Sequence, residues 1–217
     1  PYAVEKPIVM TGEQADHLAQ VTKERGVKSM VCFSYRFKAS ARYAKDLIER
    51  GLIGDIYHVD MQYYQAWGLP MCNTPLVWRF EQKHTGSGAL GDLGSHALDL
   101  VRFVTGKEYK RLISHTGTFV HEREKLDSSG MGKVDVDDFS NYFAEMAPDV
   151  DEIYVCMGEV GQESHTFTKL PIPDKFKVDQ MQSFADIILG KADGKAATIE
   201  DGRVNQHLVD AVIRSGE

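Results

Sequence analysis

Cysteine is scarce in this sequence: Cys32, Cys72 and Cys156 are its only three, far apart and with no C-x-x-C pair among them. An odd number at such spacing excludes a disulfide scaffold and a thiolate metal ribbon, and leaves reduced thiols as the expectation. Cys32 and Cys156 sit in apolar contexts and read as buried structural residues. Runs of basic residues are also lacking. Lys and Arg total 25 against 32 Asp and Glu, for a net charge of −7, so a phosphate-tracking nucleic-acid surface is not expected. No apolar run approaches the ~18–20 residues of a membrane span, and no basic-then-apolar signal opens the chain. There is no internal repeat and no low-complexity tract. What remains is an ordinary globular composition over 217 residues, enough to bury a core. The expectation is a cytoplasmic protein without nucleic-acid or membrane partners, compatible with neutral small substrates.

Punctuation residues divide the chain into elements. Tyr2-Ala3-Val4 is a short apolar run ending at Glu5-Lys6-Pro7, where Pro7 biases Lys6 toward an extended backbone. Thr11 is an N-cap for a helix to about Arg25, with Ala15, Leu18, Ala19 and Thr22 on one side and Gly26 as its stop. Val27 to Phe37 reads as a strand, completing a βαβ unit. Further helices are predicted over about Ala39 to Arg50 and Ala89 to Thr105, closed by Gly51 and Gly106, and strands over Ile56 to Tyr64, Arg111 to Val120 and Val134 to Met146. The last strand slips in its alternation near Asp137-Asp138. Two helices follow, Asp179 to Leu189 and Ile199 to Ser215, the second opening on the capping-box-like Thr198-Ile199-Glu200-Asp201. Between Trp67 and Thr85 lies an irregular stretch holding both tryptophans, and a loop of that length in a compact domain often carries function. Strands gathered between helices predict an α+β layer attached to a piece of α/β.

Gly86-Ser87-Gly88-Ala89-Leu90-Gly91 matches the dinucleotide fingerprint letter for letter. That fingerprint works by following a buried strand, and the preceding Glu81 to Thr85 is charged and unlike a strand. The expectation is a flexible start to the next helix rather than a phosphate cradle. At ~100° per residue, Leu90, Leu93, Ala97, Val101 and Val104 form an apolar stripe of that helix, while Asp92, His96 and Asp99 share a narrower polar one. Asp92 and His96, one turn apart, can reach a common ligand, and Asp99 is spaced to touch His96 and hold its ring. An imidazole suits a general base at neutral pH, and a neighbouring carboxylate raises its basicity and binds hydroxyls. By spacing alone a solvated helix face, or two ligands of a metal site without a third, stays open.

Taken together, Glu5-Lys6-Pro7 after a strand end, Gly88 to Asp99 on a helix, Val136-Asp137-Asp138-Phe139 in a strand and Ala197 to Gly202 before the last helix resemble the glucose–fructose oxidoreductase, inositol dehydrogenase and rhizopine catabolism family. The resemblance runs over nearly the whole chain. It implies an NAD(P)-dependent oxidoreductase moving a hydride between NAD or NADP and a secondary hydroxyl of a sugar, inositol or related polyol. It further implies that Lys6 donates to the reacting oxygen and contacts the cofactor, that His96 relays the proton, and that Asp92 binds and orients substrate, with no metal. Glu5, Pro7, Tyr35 and Arg36 join Lys6 on the cofactor side. Trp78, Arg79 and Asp99 join Asp92 and His96 on the substrate side.

The family begins with a strand and a glycine-rich loop, whereas this chain begins at Glu-Lys-Pro. Residues 1–34 are therefore expected to be the last βαβ of a dinucleotide-binding Rossmann domain, and 35–217 a catalytic α/β domain. That domain is expected to have an open, mainly antiparallel sheet with helices on one face, sheet segments missing near 146–147, and homo-oligomerisation through the sheet. By itself such a fragment is expected to be inactive. Two other readings stay compatible with the sequence: redox-assisted elimination at a glycoside, and a non-catalytic sugar-binding or oligomerisation module.

Overall fold

The computed structural model describes residues 1–146 and 171–216. The chain opens with β1 (Tyr2–Val4), α1 (Gly12–Glu24) and β2 (Ser29–Val31). The two strands pair in parallel, Tyr2 with Ser29 and Val4 with Val31, which is the βαβ unit expected. Thr11 caps α1 by accepting from the Gln14 amide. Ala15 and Thr22 turn inward, while Leu18 and Ala19 pack partly buried on the same side. The second strand is shorter than the Val27-to-Phe37 run. It has only three residues of β1 to pair with, and beyond Phe33 the chain coils into a 3-10 turn at Ser34–Phe37. Its apolar residues remain buried: Met30, Val31, Phe33 and Phe37.

α2 (Ala39–Glu49) follows as expected. The predicted strand over Ile56 to Tyr64 does not form. Its alternation is real, but it has no strand partner among the described residues, and Tyr57, Val59, Met61 and Tyr64 stand exposed. The next stretch carries short 3-10 turns at Pro70–Cys72 and Trp78–Phe80 and the one-turn helix α3 (Gln82–Thr85).

The helix over 89–105 is present with one irregularity. Leu90–Gly94 forms a π-helical turn, the Ser95 amide donating to the Leu90 carbonyl, and α4 (Ser95–Thr105) continues from it. Gly106 stops the helix at φ 74°, a left-handed conformation that glycine adopts without steric cost. The π turn corrects the expected stripe, because a constant ~100° per residue does not hold through a turn closed five residues back. Leu98 and Phe103 are buried, whereas Leu93 and Val104 are only half-buried. The helix is covered from two sides, by α2 and by the last helix.

Next come β3 (Tyr109–Gly117), β4 (Glu122–Glu124), β5 (Met131–Lys133) and β6 (Phe139–Met146). β3 and β6 pair antiparallel, and β4 and β5 form a small hairpin absent from the sequence expectation. The strand expected from Val134 begins only at Phe139, past the irregularity at Asp137-Asp138; Val134 and Val136 instead close over Phe80 in a side cluster. α5 (Gln180–Leu189) is capped by Asp179, and α6 (Ile199–Gly216) opens on a reciprocal box between Thr198 and Asp201. The gap in the sheet expected near 146–147, and Cys156, fall at or within residues outside those described. Cys32 is half-buried beside Met30 and Phe37, and Cys72 is exposed.

Helix α6 ties the two parts of the chain together. Near its start, Ala197 and Ile199 join Ile8, Ala15, Val31 and Phe33 in one core, and the Val31 amide donates to the Ala197 carbonyl. Further along, Val209 and Val212 join Leu90 and Leu98 against Leu112 and Tyr142 of the β3–β6 pair. The described helices thus cover one face of that pair, while Ile113 and Phe143, cross-strand partners, stand exposed on the other. No described helix is long and apolar enough to cross a membrane.

Candidate active site

A cavity of about 490 Å³ opens where the end of β1, the π turn and the 65–80 stretch meet. Glu5, Lys6 and Pro7 follow directly from β1 and reach it, as do Asp92, Trp78 and Arg79. Lys6 is the centre of the arrangement. Its side chain is 9% exposed, and its Nζ donates to Asp92 Oδ1 at 2.8 Å and to the Asp92 carbonyl at 2.5 Å. Arg79 brings a second cation to within 3.5 Å of the same carboxylate oxygen and stacks on Trp78, its guanidinium 4.6 Å from the ring centroid. One carboxylate therefore holds two cations beside a largely apolar wall, an arrangement able to bind hydroxyl groups and to stabilise negative charge on an oxygen.

His96 lies next to this group without lining the cavity. It is 8% exposed, packed edge-on against Tyr35 at 4.7 Å and Phe33 at 6.1 Å between ring centroids. Burial, then the Lys6 charge, push its pKa down to about 4, against a smaller opposite pull from Asp92. The expectation that the carboxylate would make this imidazole more basic is thereby overturned: desolvation is the larger effect. His96 is neutral at neutral pH, and its Nδ1 has no hydrogen-bond partner among the described residues. Asp99 does not hold the ring. Both Asp99 oxygens accept from Arg36, Oδ2 from Nε at 2.8 Å and Oδ1 from Nη2 at 2.6 Å.

That ion pair occupies two residues of the sequence expectation. Arg36, assigned by resemblance to the cofactor, is buried, bonded to Asp99 and Asp201 and stacked on Phe103. Asp99, assigned to substrate, is equally buried and already paired. Neither lines the cavity, and together they join the Ser34–Phe37 turn to α4 and α6. Tyr35 also stays off the cavity, its hydroxyl 2.5 Å from that of Tyr63. Burial, followed by that contact, raises the Tyr63 pKa to about 12.

The glycine-rich run also has its explanation. The Asp137 carboxylate accepts from the amides of Gly88 at 2.7 Å and Leu90 at 2.6 Å, and the Asp137 carbonyl accepts from Ala89 at 2.9 Å. The donors that would cradle a pyrophosphate are thus occupied by a side chain of the same protein. Gly88 is required by close approach, since a Cβ there would come within 1.9 Å of the Asp137 carbonyl oxygen. Burial raises the Asp137 pKa, and these amides pull it back.

Trp67, Phe80 and Arg123 also line the cavity and were not among the residues singled out. Trp67 fell in the stretch flagged as functional, but nothing in the local sequence marks Arg123. Among the described residues no group of three or more His, Cys, Asp or Glu could hold a metal ion.

Residues 41–207 match the GFO/IDH/MocA C-terminal domain family. The chain is 36% identical over 147 residues to levoglucosan dehydrogenase of Pseudarthrobacter phenanthrenivorans, an alignment covering 62% of the chain and 37% of that enzyme. It is 30% identical over 100 residues to the NADP-dependent D-xylose 1-dehydrogenase of Haloarcula marismortui, covering 46% of the chain and 28% of that enzyme. These matches thus span 37% and 28% of the curated relatives' own length. Its fold superposes on levoglucosan dehydrogenase in complex with NADH and L-sorbose with a TM-score of 0.74 at 23% identity, covering 99% of the chain and 70% of that structure.

Proposed function

The chain belongs to the GFO/IDH/MocA family, and from that premise we propose that the protein carrying it is an NAD(P)-dependent dehydrogenase of sugars or related polyols. The observation that carries this reading is the buried contact of Lys6 with Asp92 at a cavity that Arg79 and Trp78 also reach. The fit to NAD(P) is partial and specific. Glu5, Lys6 and Pro7 extend from the carboxyl end of a parallel strand, where α/β sheets bind ligands, and would hold the nicotinamide end. Residues 86–91 would not hold the phosphates, because Asp137 occupies their amides. On this reading residues 1–34 close a dinucleotide-binding domain and residues from 35 onward form the substrate domain.

When bound, NAD(P) supplies the hydride acceptor. The chain's own residues manage the oxygen and its proton. The Lys6 ammonium hydrogen-bonds the reacting hydroxyl oxygen and stabilises the negative charge that develops there. Asp92 fixes Lys6 and accepts from a substrate hydroxyl. His96, neutral and next to the Lys6–Asp92 pair, relays the hydroxyl proton in oxidation and returns it in reduction. Trp67, Phe80 and Val136 keep water from the centre.

Self-association through the sheet belongs to the same proposal. Ile113 and Phe143, paired across β3 and β6, are 67% and 79% exposed, and a second copy would cover them. The functional reading is tested by incubating the intact protein with NAD or NADP and a panel of sugars and polyols. Reduced cofactor should form, and His96→Gln should lower turnover by ~10²–10⁴; an unchanged rate removes His96 from the chemistry.

A further inference from the structure

We propose that Arg123 is a positioning residue that fixes the 65–74 loop as the substrate-facing wall of the cavity; the inference rests on the functional reading above. Arg123 projects from β4, is 5% exposed and lies with its guanidinium carbon 4.0 Å from the Phe80 ring centroid. Its donors go to main-chain carbonyls: Nη1 to Thr74 at 3.1 Å and Nη2 to Gly68 at 2.5 Å. Gly68 lies within the loop, one residue past Trp67, and Thr74 closes it. One planar fork therefore ties two points of the loop to a single side chain, which is the geometry that distinguishes arginine from lysine.

The loop is worth holding because of what it presents. Gln65, Trp67, Gly68, Leu69 and Pro70 all line the cavity. The Trp67 ring packs 5.3 Å from Phe80, the residue on which Arg123 stacks. From the other side a hydrogen-bond chain reaches Trp67: its Nε1 donates to Gln65 Oε1 at 2.8 Å, and Gln65 Nε2 donates to Tyr63 Oη at 2.7 Å. That hydroxyl meets Tyr35, whose ring packs on His96. Trp67 is thus linked to Arg123 through Phe80, and toward the imidazole through Gln65 and the two tyrosines.

Burying this guanidinium is costly, and burial lowers its pKa. No salt bridge to a carboxylate is among its described contacts, and Nε has no hydrogen-bond partner among the described residues. A charge placed this way contributes little net stability; what it contributes is loop geometry. The neighbouring backbone is tied independently, since the Leu76 amide donates to the Glu124 carbonyl at 2.7 Å. Losing the Arg123 side chain should therefore free residues 66–74 and leave the hairpin attached.

The test uses Arg123→Met and Arg123→Lys in the intact protein, with KM and kcat measured across a sugar panel. Acrylamide quenching, taken as the difference between each protein and its Trp67→Phe counterpart, reports Trp67 independently of activity. Arg123→Met should raise substrate KM by about tenfold or more while kcat changes by less than about threefold. Trp67 should become more quenchable, and Arg123→Lys should fall between parent and Met in both readouts. Unchanged KM and quenching, or a loss confined to kcat, overturns the proposal. If Arg123→Met does not fold, the lysine variant decides by the same criteria. If the parent reduces no cofactor with any sugar, the dehydrogenase reading fails, while quenching still decides whether Arg123 holds the loop.

Discussion

Lys6 Nζ donates both to Oδ1 of Asp92, at 2.8 Å, and to that residue's own carbonyl oxygen, across 86 positions of sequence. Asp92 sits within the π turn Leu90–Gly94, and one residue thus offers Lys6 both its carboxylate and its main-chain oxygen. Asp92→Asn should keep the size of the group and lose the charge that holds the ammonium. Steady-state kinetics of the intact protein should show kcat/KM lowered by about 10²-fold, with little change in melting temperature.

The low pKa of His96 fixes the sign of two pH effects. As a base it must be neutral, and with a pKa of about 4 it stays neutral down to mildly acidic pH. The acid limb of the rate profile due to His96 should therefore lie near pH 4–5, well below the ordinary ~6.5. Stability follows the same shift. The unfolded imidazole takes a proton at ~6.5 and the folded one only near 4, so stability is lost as pH falls between those values. His96→Asn should flatten that part of the stability curve, and an NMR titration of the imidazole should give its midpoint directly.

Arg36 and Asp99 separate a structural from a functional assignment. Removing one partner of a buried ion pair leaves the other charge unpaired, at a cost of about 3–5 kcal/mol. Arg36→Met should lose that much in denaturant unfolding. The milder Arg36→Lys should retain parent affinity for NAD(P), whereas weakened cofactor binding in a folded variant would restore Arg36 to the cofactor side.

Asp137 should behave as a cap. Asp137→Ala removes the acceptor for two amides at the start of the Leu90–Gly94 turn and should cost about 1–2 kcal/mol of stability, by thermal or denaturant unfolding. Phosphate or pyrophosphate should not rescue the parent's affinity for anything at this loop.

The features legible in the sequence are the local ones. The β1–α1–β2 unit, the helix around Asp92 and His96, and the caps at Thr11 and Thr198 depend on residues a few positions apart, so spacing and punctuation reveal them. The charged residues before the glycine run argue locally against a phosphate loop, whereas the residue that takes its amides, Asp137, is 49 positions away. Arg36 meets Asp99 across 63 positions and Arg123 meets Gly68 across 55; no local pattern contains either contact. β4 and β5 have three residues each, too few for alternation to register. Ile56 to Tyr64 shows the converse failure, an alternating run without a pairing partner among the described residues. Asp99 and His96 share the regular α4, but their spacing could not show that Arg36, from outside the helix, takes both Asp99 oxygens.

The most direct measurement is turnover by the intact protein and its Lys6→Met variant, with NAD or NADP and a sugar panel, followed as formation of reduced cofactor. The account predicts that the parent oxidises at least one sugar or polyol and that Lys6→Met lowers kcat/KM by about 10³-fold while the protein stays folded. A variant that turns over at the parent rate, or a parent that reduces neither cofactor with any member of the panel, would contradict it.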